Sequence, residues 1–184
     1  MYCIAIALRP EMWLGKAAFE NELGVQSPVG FWDPVGFTQD GDVAAFQRRR
    51  QVELKHGRIS MLAAMGFMTP EITGKFPGYL SPSADLKFAD VPNGLAAISK
   101  VPALGWAQII AYMGFCEISK DQSPGTPGAR GDLGWRASTK ADPEENKRSL
   151  QCELANGRLA MTAIMAMFFQ NGITGTTGPA AKSK

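Results

Sequence analysis

The sequence predicts an all-α membrane protein of three transmembrane helices, the first and third forming a crossed pair about an approximate two-fold axis. Three observations predict it. Nothing in the chain reads as paired strands. Three apolar, helix-length segments are separated by Pro/Gly-rich connections. The first and third of those segments repeat one another at an offset of 100 residues.

The 184 residues suit a single unit, 1–184. A formal net charge of +2 is too small to suggest a nucleic-acid partner, and no basic run exceeds Arg48-Arg49-Arg50. Cys3, Cys116 and Cys152 are too few and too scattered for a disulfide framework, and their apolar neighbours read as small buried hydrophobes. Residues 1–9 carry a short apolar stretch that resembles the tail of a targeting segment.

Residues 18–42 are punctuated by Pro28, Gly30, Pro34, Gly36 and Gly41 and read as loop. A first helix is expected over about 43–68, with Asp42 as N-cap and Pro70 just past its end. Residues 70–92 form an irregular connection. A second helix occupies about 102–120, with Pro102 in its first turn. The third runs from about 142 to 171, with Pro143 at its start, Glu144 and Glu145 at the positive end of its dipole, and Gly172 beyond it. A spanning helix needs about 20 mostly apolar residues, and only 101–118 approaches that. Hydropathy alone therefore gives one spanning helix and two buried ones; the repeat decides otherwise.

Residues 51–65 lie over 151–165 with Gln, Glu, Leu, Gly, Arg and both Met positions identical, and Ala63 over Ala163. The loops before them echo each other, Asp33-Pro34-Val35-Gly36-Phe37 against Asp132-Leu133-Gly134-Trp135. Glu53 and Arg58 are five residues apart, about 500° around a helix, so they do not face each other on their own helix. With two copies, Glu53 meets Arg158 and Glu153 meets Arg58, while Gly57 and Gly157 let the backbones approach. Reciprocal pairing explains how four charges are tolerated at membrane depth.

Glu53 and His56 share one helix face, as do Glu153 and Asn156. Such donors suit a hard ion such as Mg²⁺, yet no cluster supplies six ligands. One protein ligand per site makes sense where a macrocycle supplies the other four. Gln170 is a further neutral oxygen donor in apolar surroundings, and Gln108 and Glu117 are the polar exceptions of the middle helix. Taken singly, each has a plainer reading: a surface histidine, a capping Asn, a helix-end Gln, an interfacial Glu. Trp32, Trp106 and Trp135 are placed as interfacial anchors.

The doubled Glu-Leu-x-(His/Asn)-Gly-Arg segment resembles the first and third helices of the three-helix light-harvesting chlorophyll-binding family, over roughly residues 18–175. Lys55-His56-Gly57-Arg58 and the segments 78–82, 88–95, 105–106 and 113–117 are similar to its chlorophyll a/c branch. Within that branch they look most like the peridinin type, with the fucoxanthin type a close second. The resemblance implies that Glu53, His56, Glu153, Asn156 and Gln170 hold chlorophyll magnesium, with Gln108 and Glu117 as looser pigment positions. It implies Arg58 and Arg158 as ion-pair partners, and carotenoid end groups at the loops of Asp33 and Phe37 and of Asp132 and Trp135. It also implies chlorophyll a, chlorophyll c and carotenoids of the peridinin, fucoxanthin or diadinoxanthin type. The setting implied is the plastid thylakoid bilayer, with a photosystem core and neighbouring antenna subunits as partners. Pro70 stands where a counterpart of Gln170 would be, so no first-helix ligand is expected there. The chain ends soon after Gly178, and an amphipathic C-terminal helix of the kind some relatives have is not expected within it.

Three rival functions follow from the same residues. Glu53-x-x-His56 resembles one element of ferritin-like di-metal enzymes, which need two such elements, and this chain has one histidine. A photoprotective member of the same family would quench excitation instead of delivering it. A structural linker would bind few pigments, and retention of every motif ligand speaks against it.

Overall fold

The computed structural model describes residues 19–119, 143–175 and 177. Two long helices, α1 (Val43–Ile72) and α4 (Pro143–Thr174), pack together, and a third, α3 (Ala103–Ser119), lies between them in sequence. A one-turn helix, α2 (Ala97–Lys100), precedes α3.

α1 begins where its cap residue is: the Asp42 carboxylate accepts the Ala44 N–H at 2.9 Å. The helix does not stop before Pro70 as the sequence suggests, but continues to Ile72. Proline removes one rung of the ladder, yet its fixed φ is helical. The Thr69 hydroxyl donates to the Met65 carbonyl at 2.6 Å, and the Thr73 N–H restarts the ladder on the Thr69 carbonyl at 2.9 Å. Gly74, at φ +85°, follows the end. α4 likewise passes through Gly172, a position that costs a helix only about 1 kcal/mol. It ends at Gly175, whose φ of +68° lets its N–H reach the Asn171 carbonyl at 2.9 Å.

The absence of paired strands is also corrected. Residues 79–81 (β1, Tyr79–Ser81) pair antiparallel with Leu86–Lys87 (β2), Tyr79 facing Lys87 and Ser81 facing Leu86. A 3-10 turn, Pro82–Ala84, joins them, and Asp85 takes the left-handed φ of 49°. Strands this short carry no readable alternation, and the Pro-Ser-Ala-Asp turn alone does not announce them.

α1 and α4 run in the same direction. Gly57 lies against Gly157, and Phe67 meets Phe168 edge-on at 5.9 Å between ring centroids. Among the described residues the apolar core is small: Phe19, Ala64, Phe67, Leu154, Ala160 and Ile164. No residue of α3 is buried. Large apolar side chains face outward on all three helices, Leu62 at 74% exposure, Phe169 at 73% and Ile118 at 87%. Apolar surface of that extent marks a face covered by lipid, by bound apolar molecules or by another protein. The cysteines follow the same pattern. Cys152 is exposed and Cys116 half-buried, contrary to the buried role expected of them; around Cys116 the apolar neighbours Met113 and Phe115 are themselves on the outside.

Among the described residues no single helix is long and apolar enough to cross a membrane. The pair Gly94–Lys100 with Ala103–Ser119 is, taken together, but it is bent by 105°. At 1.5 Å per residue, α1 and α4 are about 45 and 48 Å long, so length is not what they lack. Their charged first halves lower the average.

Candidate functional site

The site is built where α1 and α4 meet. An ideal Cβ on Gly57 would lie 3.1 Å from the Gly157 Cα, and one on Gly157 equally close to the Gly57 Cα. The absence of side chains lets the backbones touch, and a residual cavity of about 10 Å³ is all that remains between Glu53, Arg58, Glu153 and Arg158. Either side of this contact the two reciprocal ion pairs form. Arg58 Nε donates to Glu153 Oε1 at 2.6 Å, and Arg158 Nε to Glu53 Oε1 at 2.7 Å.

The pairing is not symmetric. A third guanidinium, Arg50, donates through Nη1 to Glu53 Oε2 at 2.7 Å and through Nη2 to the Leu23 carbonyl at 2.6 Å. Its planar head also lies 5.3 Å from the centre of the Phe46 ring. Arg158 Nη1 donates to the neighbouring Gly24 carbonyl at 2.7 Å. Gly24 has φ +93°, and a Cβ there would stand 2.9 Å from Arg158 Nη2 and 3.2 Å from Leu154 Cδ1. Two arginines thus pin the loop before α1 onto the helix crossing. The sequence reading missed Arg50, because the repeat carries Leu150 in its place. The signal that finds it is the three-residue spacing to Glu53 on one helix face.

The candidate ligands stand on the outward faces around this crossing. The His56 ring lies with Nδ1 2.8 Å from the Val52 carbonyl. A carbonyl only accepts, so Nδ1 carries a proton, and in the neutral ring Nε2 then keeps its lone pair, the arrangement seen in metal-ligating histidines. Asn156, one residue before the contact glycine of α4, is exposed, as are Gln170 near the end of α4 and Gln108 on α3. Glu153 meets Arg58 through Oε1, whereas both oxygens of Glu53 meet arginines. A carboxylate has about four lone-pair sites, so a ligand position remains on each. Glu117 on α3 meets the Lys55 ammonium at 2.6 Å. Helix geometry brings Glu53, Glu153, Arg58 and Arg158 together at one crossing; Gln108 and Gln170 stand apart from it.

The Asp33 loop is organised by that residue's carboxylate. Oδ1 accepts the Gly36 and Phe37 N–H groups at 2.9 and 3.1 Å, and Oδ2 accepts the Thr38 N–H at 2.9 Å and its hydroxyl at 2.6 Å. Arg49 donates to the Phe37 carbonyl and lies 5.2 Å from the Phe37 ring centre. A hollow of about 510 Å³ opens beside the loop, lined by Phe19, Trp32, Phe37, Phe46 and Arg158 among others. Desolvation pulls the Asp33 pKa up, but the hydrogen bonds from Thr38, Phe37 and Gly36 outweigh it and hold the group below 3.8. A carboxyl with a depressed folded pKa stabilises at pH above its unfolded value, and the contribution is lost as pH falls through the folded one. The turn is therefore expected to persist at neutral pH and to loosen only below pH 3.8. Asp33→Ala is expected to speed hydrogen exchange at Gly36, Phe37 and Thr38 a few-fold at pH 7; unchanged exchange would remove Asp33 as the organiser. Asp132 and Trp135, the matching loop, lie outside the described residues, as do residues 1–9 and the C-terminal residues after 177.

Residues 19–172 match the family described as Chlorophyll A-B binding protein. The chain belongs to that family. It is 48% identical over 157 residues to the Macrocystis pyrifera protein named "Fucoxanthin-chlorophyll a-c binding protein B, chloroplastic", covering 83% of this chain and 72% of that one. It is 46% identical to protein D of the same organism, over 83% of this chain and 86% of the relative. It is also 45% identical to protein A of Phaeodactylum tricornutum, over 82% and 78%. These relatives are of the fucoxanthin type, the second of the two that the motifs suggested. The chain is a helical membrane protein of the chloroplast thylakoid. It harvests light and is not an enzyme; antenna proteins of this kind associate with photosystems.

Proposed function

We propose that this chain holds chlorophyll a, chlorophyll c and a fucoxanthin-type carotenoid on a frame of three membrane-spanning helices, α1, α3 and α4. Excitation absorbed by these pigments passes between them and on to a photosystem core or a neighbouring antenna subunit. The observation that carries the reading is the reciprocal pairing of Glu53 and Glu153 at the Gly57–Gly157 contact. Each glutamate would hold a chlorophyll through its magnesium, and the arginine of the other helix compensates the charge left over. His56 through Nε2, Asn156 and Gln170 would hold further chlorophylls, and Gln108 and Glu117 would serve pigments on the middle helix. The Asp33–Phe37 turn and the hollow beside it receive the end group of a carotenoid lying along the paired helices, and the Asp132–Trp135 loop does the same on the other side. The protein's own part is to fix spacing, orientation and local polarity; the photophysics belongs to the pigments.

The parallel course of α1 and α4 supports the three-span topology. Two parallel spans require the chain to return across the membrane between them, and α3 is the apolar segment that does so. Because α1 and α4 exceed a ~30 Å hydrocarbon core, they tilt and project their charged first turns into water.

Purification from thylakoids followed by pigment extraction is expected to give chlorophyll a, chlorophyll c and carotenoid in fixed ratios. A purified chain without chlorophyll would refute the reading. His56→Leu is expected to remove one chlorophyll per protein with little loss of stability, since no charge is stranded. Unchanged chlorophyll content in that variant would take His56 out of the ligand set.

A further inference from the structure

The repeat makes α1 and α4 nearly equivalent, yet one middle helix has to attach to only one of them. Glu53, Leu54, Gly57, Arg58, Met61 and Met65 all have identical partners 100 residues on. A helix arriving beside such a pair finds two similar flanks. The residue that differs in charge within the motif is Lys55, whose counterpart is Ala155. Its position, two residues from Glu53 and about 200° around the helix, turns it away from the clamp and toward the flank. There its ammonium reaches Glu117 Oε2 of α3 at 2.6 Å, across 62 residues of sequence.

We propose that the Lys55–Glu117 ion pair is the positioning contact that fixes the middle helix to the flank of α1 and sets its height along it. Apolar packing against α1 or α4 does not do this, because no residue of α3 is buried and its large apolar side chains are exposed. A non-directional surface surrounded by lipid and pigment gives no preferred register. A charge pair does: the two side chains, 36% and 57% exposed, meet at one place, and wherever lipid or pigment covers them each member is costly alone. Lys55 also gives Glu117 the countercharge that Arg58 and Arg158 give the other two glutamates. The middle helix therefore follows the same rule with a different cation. The inference rests on the ion pair and the asymmetry of the repeat, so it stands or falls apart from the choice of pigment ligands.

The test uses the pigmented protein purified in mild detergent. Treatment with a water-soluble carbodiimide, which condenses a carboxylate and an amine already in contact, is expected to join the peptides containing Lys55 and Glu117, as read by mass spectrometry. Separately, Lys55→Leu is expected to change the visible circular dichroism, which reports pigment geometry. Lys55→Arg keeps the cation and leaves Glu117 untouched, so it is expected to retain the wild-type spectrum while Lys55→Leu does not. Should either single variant fail to assemble, the cross-link in the wild-type protein still decides. The proposal is overturned if pigmented wild-type protein gives no Lys55–Glu117 cross-link, or if Lys55→Leu leaves the circular dichroism unchanged. A pigmented sample without the cross-link sinks the positioning role and leaves the antenna reading intact; an unpigmented wild-type sample sinks the antenna reading alone.

Discussion

Arg158→Leu is expected to cut the yield of pigmented protein at least tenfold and to lower the thermal stability of what does assemble. The guanidinium makes two contacts, to Glu53 Oε1 and to the Gly24 carbonyl, so the substitution strands a carboxylate and releases the loop before α1 together. The size of the effect depends on what surrounds the pair. Ion pairs exposed to water are worth about 0–1 kcal/mol. Removing one partner of a pair shielded from water costs about 3–5 kcal/mol, against a total stability of about 5–15 kcal/mol for a domain. A tenfold loss corresponds to about 1.4 kcal/mol, beyond the range of a water-exposed pair. Arg158→Lys keeps the charge and loses the second contact, so it is expected to fall between wild type and leucine. Reconstitution with purified pigments, followed by thermal denaturation monitored by circular dichroism, measures both. Full pigment content and unchanged stability in Arg158→Leu would show that the clamp does not hold the fold.

Gly57→Val is expected to have an effect of similar size through geometry instead of charge. The first atom of any side chain at position 57 would stand 3.1 Å from the Gly157 Cα, and that atom is backbone, so it cannot swing aside. Valine adds two more carbons in the same place. The helices must separate, and separation lengthens both ion pairs, which flank this contact. Gly66→Ala is the control. It lies in the same helix with open space around its Cβ position, so it is expected to leave the pair unchanged, or slightly more stable by its helix propensity. If Gly57→Val assembles as well as Gly66→Ala, the close approach at the crossing is not needed.

The crossing was legible because its logic is contained in the repeat. Two copies of Glu, Gly and Arg in one register, with each Glu and Arg turned away from each other on their own helix, leave few ways of satisfying four charges. The structure adopts the reciprocal one. What the repeat could not show is whatever departs from it. Arg50 and Lys55 face Leu150 and Ala155 across the offset, so the match between the two copies assigns neither a partner, yet both make ion pairs. The C-terminal ends of the two long helices were misplaced by four and three residues, because Pro70 and Gly172 read as stops in sequence and are carried through by the turns around them. The hairpin at Tyr79–Ser81 was missed because three residues are too few for a periodic signal. The cysteines were misjudged for a deeper reason. Apolar neighbours imply a protein core only where water is outside, and around Cys116 the apolar residues themselves are outside.

The measurement that tests the account most directly is an experimental structure of the pigmented protein at a resolution that places the magnesium atoms. The account predicts a chlorophyll magnesium about 2.1 Å from an oxygen of Glu53 and another at the same distance from an oxygen of Glu153. Arg158 and Arg58 should still bridge from the opposite helix, and further magnesium atoms should sit at His56 Nε2, Asn156 and Gln170. A map in which Glu53 and Glu153 are paired with their arginines and no macrocycle stands beside either would contradict it.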